Sequence, residues 1–202
     1  MSATRPRMAA PERRRCVLEA AMQVFARSSY RAATTAEIAR QCGVSEPVLY
    51  RHFSSKRDLY LACLEAGWSH VRSLWQQALE NEPDPAFRLG AMGRAYVEQQ
   101  RSGGRIMLSD LWVQALNEAA DDPKIRRYLR DQVRKVHDFV AGVIRESQAA
   151  GAVPAERDAD AEAWIFISLG LLSTIDRRLG AVGEPGFEGV FASRRAWMTG
   201  RP

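Results

Sequence analysis

What this chain of 202 residues has little of narrows the field first. Cysteine is rare and odd in number. Cys16, Cys42 and Cys63 are scattered, each in an apolar helical stripe, which reads as small core residues in a reducing compartment instead of a disulfide framework or a metal site. The three histidines, His52, His70 and His137, share no ligand spacing, so no metal is expected. No glycine-rich phosphate cradle is present, Ser102-Gly103-Gly104 being a plain loop, and no nucleophile, base and orienting group form a recognisable set. No catalytic residue and no cofactor are therefore expected, and the chain reads as a non-enzyme. Long apolar runs are also missing: the most apolar stretch, Trp164 to Leu172, falls well short of the roughly 20 residues of a membrane span. The polar, basic N-terminus has no signal-peptide core, and neither a basic amphipathic segment nor a lipid signal is visible. The reading is a soluble, cytoplasmic chain with no membrane partner. Nothing alternates with period two, so no strands are expected.

What is present is a concentrated positive charge. The chain carries a net +5. Residues 1–60 hold 11 Lys and Arg against 5 Asp and Glu, whereas the remainder hold 18 against 19. The basic excess sits wholly in the N-terminal part, the footprint a polyanion partner requires. Residues 1–9, with Arg5 and Arg7, read as a disordered basic arm, either a solvated tail or a minor-groove follower.

Within that basic part, Thr34 to Leu59 places three helix starts in quick succession. Thr34 and Glu37 have the spacing of a capping box, so a helix opens at Thr35. Ile38, Ala39 and Cys42 give it one small apolar face, and Gly43 supplies the left-handed exit. Ser45 is a second N-cap candidate, with Pro47 in the first turn of a helix over Glu46 to His52. Leu49 and Phe53 share its inner face. Ser55 and Asp58 repeat the box spacing and open a third helix. Helix, glycine turn, helix is the arrangement that carries a second helix into the major groove. Two short helices joined at a glycine also occur in bundles that touch no nucleic acid; the charge favours DNA.

At these residues the sequence resembles the tetracycline-repressor (TetR-type) family of bacterial regulators. The resemblance rests on an apolar first helix ending in Phe25, then TTAEIARQCGVS, PVLYRHF and SSKRDLY, over roughly residues 12–62. It implies an all-α fold: a helix-turn-helix domain over residues 10–55, joined by a long helix to a helical ligand-binding and dimerisation domain over residues 56–202. It also implies DNA contacts at Thr35 and Ala36, at Glu46, Pro47, Val48, Tyr50 and His52, and at Lys56. Lys56 at a helix start would aim a charge and free amides at phosphate. Ala36 is too short to hydrogen-bond a base. Val48 could meet a thymine methyl, and Glu46 could accept from a cytosine amine or simply favour its helix N-terminus.

Beyond the motif, Leu64, Trp68, Val71, Trp75 and Leu79 continue one stripe to about Glu80, before the turn at residues 81–85. Helices follow over Phe87–Gln100, Ile106–Ala119 and from Pro123 to the stop at Gly151 and Pro154. The segment Ala159–Leu179 differs, being apolar all round, and such a helix needs cover on every side. A second copy of the chain is one cover, with Trp164, Ile167, Leu171 and Ile175 at the contact and the last helix, Phe187 to Trp197, beside it. Burial within one subunit is the other. Trp68, Trp75, Met92, Tyr96, Met107, Leu111, Trp112 and Phe139 are large adaptable side chains that the resemblance places around an effector pocket; by themselves they are equally core. An effector held there would be apolar or aromatic. The resemblance thus implies a regulator, read as a repressor, that binds a palindromic double-stranded DNA operator as a homodimer and is released by a small hydrophobic effector. A helical enzyme acting on an apolar molecule, or a dimerisation module whose head binds protein, are the competing readings.

Overall fold

The computed structural model describes residues 9–101, 108–180 and 187–200. Among them every regular element is helical: α1 (Ala10–Arg27), α2 (Thr35–Cys42), α3 (Glu46–Tyr50), α4 (Lys56–Glu80), α5 (Arg88–Arg101), α6 (Leu108–Asp121), α7 (Pro123–Ala149), α8 (Ala159–Leu179) and α9 (Phe187–Thr199). No described helix is long and apolar enough to cross a membrane. All but one residue of the N-terminal arm and the loop at Ser102 to Gly104 lie outside the described residues.

The chain forms two compact units that alternate along the sequence. One comprises Met1–Trp68 with Arg105–Ile125, the other Ser69–Gly104 with Arg126–Pro202. A division at residue 55/56 would assign α6 to the C-terminal part; its contacts place it in the first unit. Periodicity shows that α6 has an apolar face, but not which core receives it.

In the first unit, Pro11 opens α1 where its missing amide would have had no partner. Val17, Ala21 and Phe25 are buried from α1, Ile38 and Ala39 from α2, Leu49 from α3, and Leu59, Tyr60 and Leu64 from α4. Phe25 meets Tyr60 edge-on at 4.9 Å, and Tyr30 lies 4.8 Å from Tyr60. From α6, Leu111 is fully buried, and its carbonyl accepts from the Tyr60 hydroxyl at 3.3 Å. Burial pushes that phenol far above its ordinary pKa. Gln114 reaches the end of α1, its amide nitrogen donating to the carbonyls of Phe25 at 2.7 Å and Ser28 at 3.1 Å, two acceptors near the end of that helix.

In the second unit, Trp75 of α4 stacks on Phe139 of α7 with centroids 5.9 Å apart, and Phe166 of α8 meets it edge-on at 5.8 Å. Ser147 of α7 donates to the Pro85 carbonyl at 3.0 Å, tying α7 to the turn before α5. Asp158 caps α8 by accepting from the amides of Asp160 and Ala161.

Candidate nucleic-acid interface

Local hydrogen bonds build the reading head. The Thr34 hydroxyl oxygen accepts from the Glu37 amide at 3.1 Å, which starts α2. Gly43 ends it at φ +69, its amide donating to Arg40 and the Val44 amide to Ala39. A side chain at that φ would be strained, so the turn between α2 and α3 depends on glycine. Ser45 occupies the N-cap position of α3, but its side chain makes no cap bond. At α4 the Ser55 hydroxyl oxygen accepts from the Asp58 amide at 3.0 Å. The Asp58 carboxylate accepts from the Ser54 hydroxyl, and the Ser54 and Ser55 side chains hold its pKa below the usual carboxylate range.

Leu49 and Phe53 face inward, and Tyr50 is 45% exposed. Ala36 and Pro47 are also exposed, while Glu46, Val48 and His52 are half-buried. Two of the residues expected to touch DNA are engaged inside the protein. Thr35 is buried, its hydroxyl donating to Glu46 Oε1 at 2.5 Å and lying 3.1 Å from the Tyr50 hydroxyl. An outward phosphate contact by the Thr35 hydroxyl therefore gives way to a bridge between α2 and α3. Glu46 engages the bridge through one carboxylate oxygen, Oε1, and Tyr50 is held in place by it. The Lys56 ammonium donates to the Arg31 carbonyl at 3.3 Å and lies 4.8 Å from the centre of the Tyr30 ring. Burial lowers its pKa. It is thus braced against the loop after α1, with two further N–H groups outside that bond. Sequence reasoning did not reach this bridge and brace, because the partners stand 11, 15 and 25 residues apart.

A second missed feature is the seat of α4. Arg57 donates to Asp122 Oδ2 at 2.6 Å, and Arg31 pairs with Glu118 at 3.5 Å and with Asp121. Asp122 also accepts from the amides of Lys124 at 2.9 Å and Ile125 at 3.3 Å, capping α7.

The residues expected around an effector divide between the two units. Trp68 and Leu111 are buried in the first, with Trp112 half-buried there. Trp75 and Met92 are buried in the second, with Tyr96 and Phe139 half-buried. Of these, Trp75 and Phe139 are in direct ring contact; Met107 lies outside the described residues. A groove in the second unit runs between α5, α8 and α9, lined by Leu89, Phe166, Leu169 and Met198 with the ion pair Glu162–Arg194. None of the eight expected residues lines it.

Trp164, Leu171 and Ile175 are each about half exposed, and Ile167 is half-buried. Ile165, Leu172 and Leu179 are exposed too. At about 100° per residue, the exposed six fall within an arc of roughly 120° on α8. The helix that reads as apolar all round thus has one face in its own unit and one continuous bare apolar stripe.

Short helices turned at a left-handed glycine, with a capped helix start beside them and a basic surround, define a helix-turn-helix DNA-binding unit. Residues 17–63 match the model of the family described as bacterial regulatory proteins, tetR family. Among curated relatives it is 41% identical over 110 residues to the transcriptional activator FasR of Mycolicibacterium smegmatis, a match covering 53% of this chain and 50% of that protein. The chain thus spans about half the length of that relative. Among solved structures it is similar to a transcriptional regulator from Saccharomonospora viridis in complex with choline, at 26% identity and TM-score 0.73, covering 93% of this chain and 95% of that one. It shares the fold of AibR in complex with isovaleryl coenzyme A and operator DNA, at 20% identity and TM-score 0.68, covering 95% and 100%.

Proposed function

We propose that this chain is a ligand-responsive transcriptional repressor of the cytoplasm, without enzymatic activity or cofactor. As a homodimer it reads a palindromic double-stranded DNA operator, and a small apolar or aromatic effector releases it. The observation that carries this reading is the presentation of α3: Leu49 is fully buried while Pro47 and Tyr50 stand exposed, on a turn that needs Gly43. Pro47, Val48 and Glu46 supply base-edge contacts; the amides at the starts of α2 and α4, Tyr50, His52 and the remaining N–H groups of Lys56 hold phosphate. The bare stripe on α8 supports pairing with a second copy through Trp164, Ile167, Leu171 and Ile175, since a two-fold contact needs a self-complementary patch.

The Trp75, Phe139 and Phe166 cluster supports an apolar effector in the second unit. Such a ligand needs about 1.4 kcal/mol of preference for one conformation to change operator occupancy tenfold. Gln114 and Glu118 attach α6 to α1 and the loop after it, and Asp122, just beyond α6, holds α4 through Arg57, so α6 is part of the body of the head.

Selection of bound fragments from random-sequence DNA by the purified chain at moderate salt tests the reading. The expected result is a two-fold symmetric site with half-sites about one helical turn apart; no enrichment above background would remove it. On the recovered site, Val48→Ala is expected to change preference at one position per half-site, with affinity elsewhere unchanged. A binding profile identical to the parent would take Val48 out of the readout. Quenching of tryptophan fluorescence by isovaleryl coenzyme A, choline and apolar aromatic acids then screens for the effector, and a reporter under the recovered operator decides the sign of regulation. Its output should rise when the gene for this chain is removed.

A further inference from the structure

The sulfur atoms of Cys16 and Cys42 are bonded, joining the middle of α1 to the last residue of α2 across a separation of 26 residues, with Cα atoms 5.8 Å apart. This departs from the expectation that all three cysteines are reduced core residues; backbone positions set that pairing, and sequence distance hides it. Cys63 does behave as expected: it is fully buried, its thiol lies against the Leu18 carbonyl, and burial raises its pKa far above the ordinary value.

The paired cysteines differ from it. Cys16 is half-exposed and follows Arg13, Arg14 and Arg15, with Arg13 one helical turn away on the same side. Neighbouring cations favour the thiolate, the form that reacts. Cys42 is buried beside it and immediately precedes Gly43, whose left-handed turn orients α3. In a reducing compartment a disulfide at such a place is transient and responsive, not structural.

We propose that Cys16 and Cys42 form a reversible oxidation site in the reading head, closed by hydroperoxides and opened by thiol reductants. The Cys16 thiolate attacks a peroxide oxygen, breaking the O–O bond and releasing water or an alcohol once the leaving oxygen is protonated. The Cys42 thiolate then displaces the hydroxyl of the resulting sulfenic acid, forming the S–S bond and releasing water. Two electrons pass from the two thiols to the peroxide, and both thiol protons end in the products. The closed bond fixes α2 on α1 and thereby holds the turn into α3 in its reading geometry. Its effect on DNA rests on the function proposed above; the chemistry of the site does not.

The test uses the full chain, reduced and then treated with a small excess of hydrogen peroxide. Denatured thiol counts should fall from three to one, with an intact mass two hydrogens lighter and a Cys16–Cys42 peptide on digestion. Cys16→Ser, Cys42→Ser and Cys42→Ala should never lose those hydrogens, and Cys63→Ser should lose them as the parent does. Closing a loop of this length should raise Tm by about 7–14 °C, and duplex affinity should rise by about threefold or more because less ordering is left to binding. Three free thiols after peroxide, or oxygen addition without loss of hydrogens, would overturn the site. A disulfide that forms but leaves duplex affinity unchanged overturns its control of the head. A chain that binds no duplex in either state overturns the DNA reading instead, while the thiol count and mass still decide the site.

Discussion

Replacing Leu171 and Ile175 together by glutamate is expected to turn the proposed dimer into a folded monomer and to weaken binding to the proposed operator by at least a hundredfold. Both side chains are about half exposed in the single chain, so neither carries much of its folding energy. In a two-fold contact each appears twice, which places four carboxylates among the apolar side chains of α8. Stripping water from a charge with no partner is costly, and even about 1 kcal/mol per substitution sums to about 4 kcal/mol, a factor near a thousand in association. Sedimentation at micromolar concentration should show one chain, with helical circular dichroism retained. A double variant that stays dimeric would place the interface elsewhere, and one that unfolds would show the stripe to be core.

Asp122→Ala is expected to lower Tm by about 4–12 °C, corresponding to roughly 2–3 kcal/mol. One part is the cap of α7, typically about 1 kcal/mol. The rest is the pair with Arg57, discounted because the arginine side chain is 37% exposed whereas that of Asp122 is 17% exposed. Asp122→Asn keeps a capping oxygen and should lose about half as much. The pH dependence follows from the same contacts. Burial acts to raise the Asp122 pKa, but the bond from Arg57 and those from the Lys124 and Ile125 amides outweigh it, so the pKa lies below the ordinary value. A carboxyl depressed in the folded state stabilises above its unfolded pKa of about 4, and that contribution is lost as pH falls through the folded value. Urea melts should therefore separate parent from Asp122→Ala at pH 7 and bring them together towards pH 2. A gap that is the same at both values would assign the loss to packing.

The helix starts and stops of the head were legible because each is settled within one turn of chain. Thr34 reaches Glu37, Ser55 reaches Asp58, and Gly43 takes a φ that few other residues tolerate. Inner faces were legible for a similar reason: Leu49 and Phe53 lie four apart and are both buried. Periodicity assigns a face to a helix, yet it leaves open what that face meets. Hence α6 could be delimited from sequence but not assigned to the first unit, and α8 could be recognised as unusual without showing which arc its own unit covers. The candidate site divides along the same line. Tyr50 and Val48 follow from the motif, whereas the inward turn of the Thr35 hydroxyl and the brace on Lys56 depend on partners brought together only by folding.

The sequence by itself determined the helices, the caps at Thr34 and Ser55, the glycine turn and the concentration of positive charge around it, because these depend on neighbours within about four residues and on composition. Tertiary structure alone decided the bridge from Thr35 to Glu46 and Tyr50, the seat of α4 on Asp122, the pairing of Cys16 with Cys42 and the bare stripe of α8. Each of those is a contact between residues far apart in the chain, or the lack of one, and sequence spacing carries no measure of which distant surfaces meet.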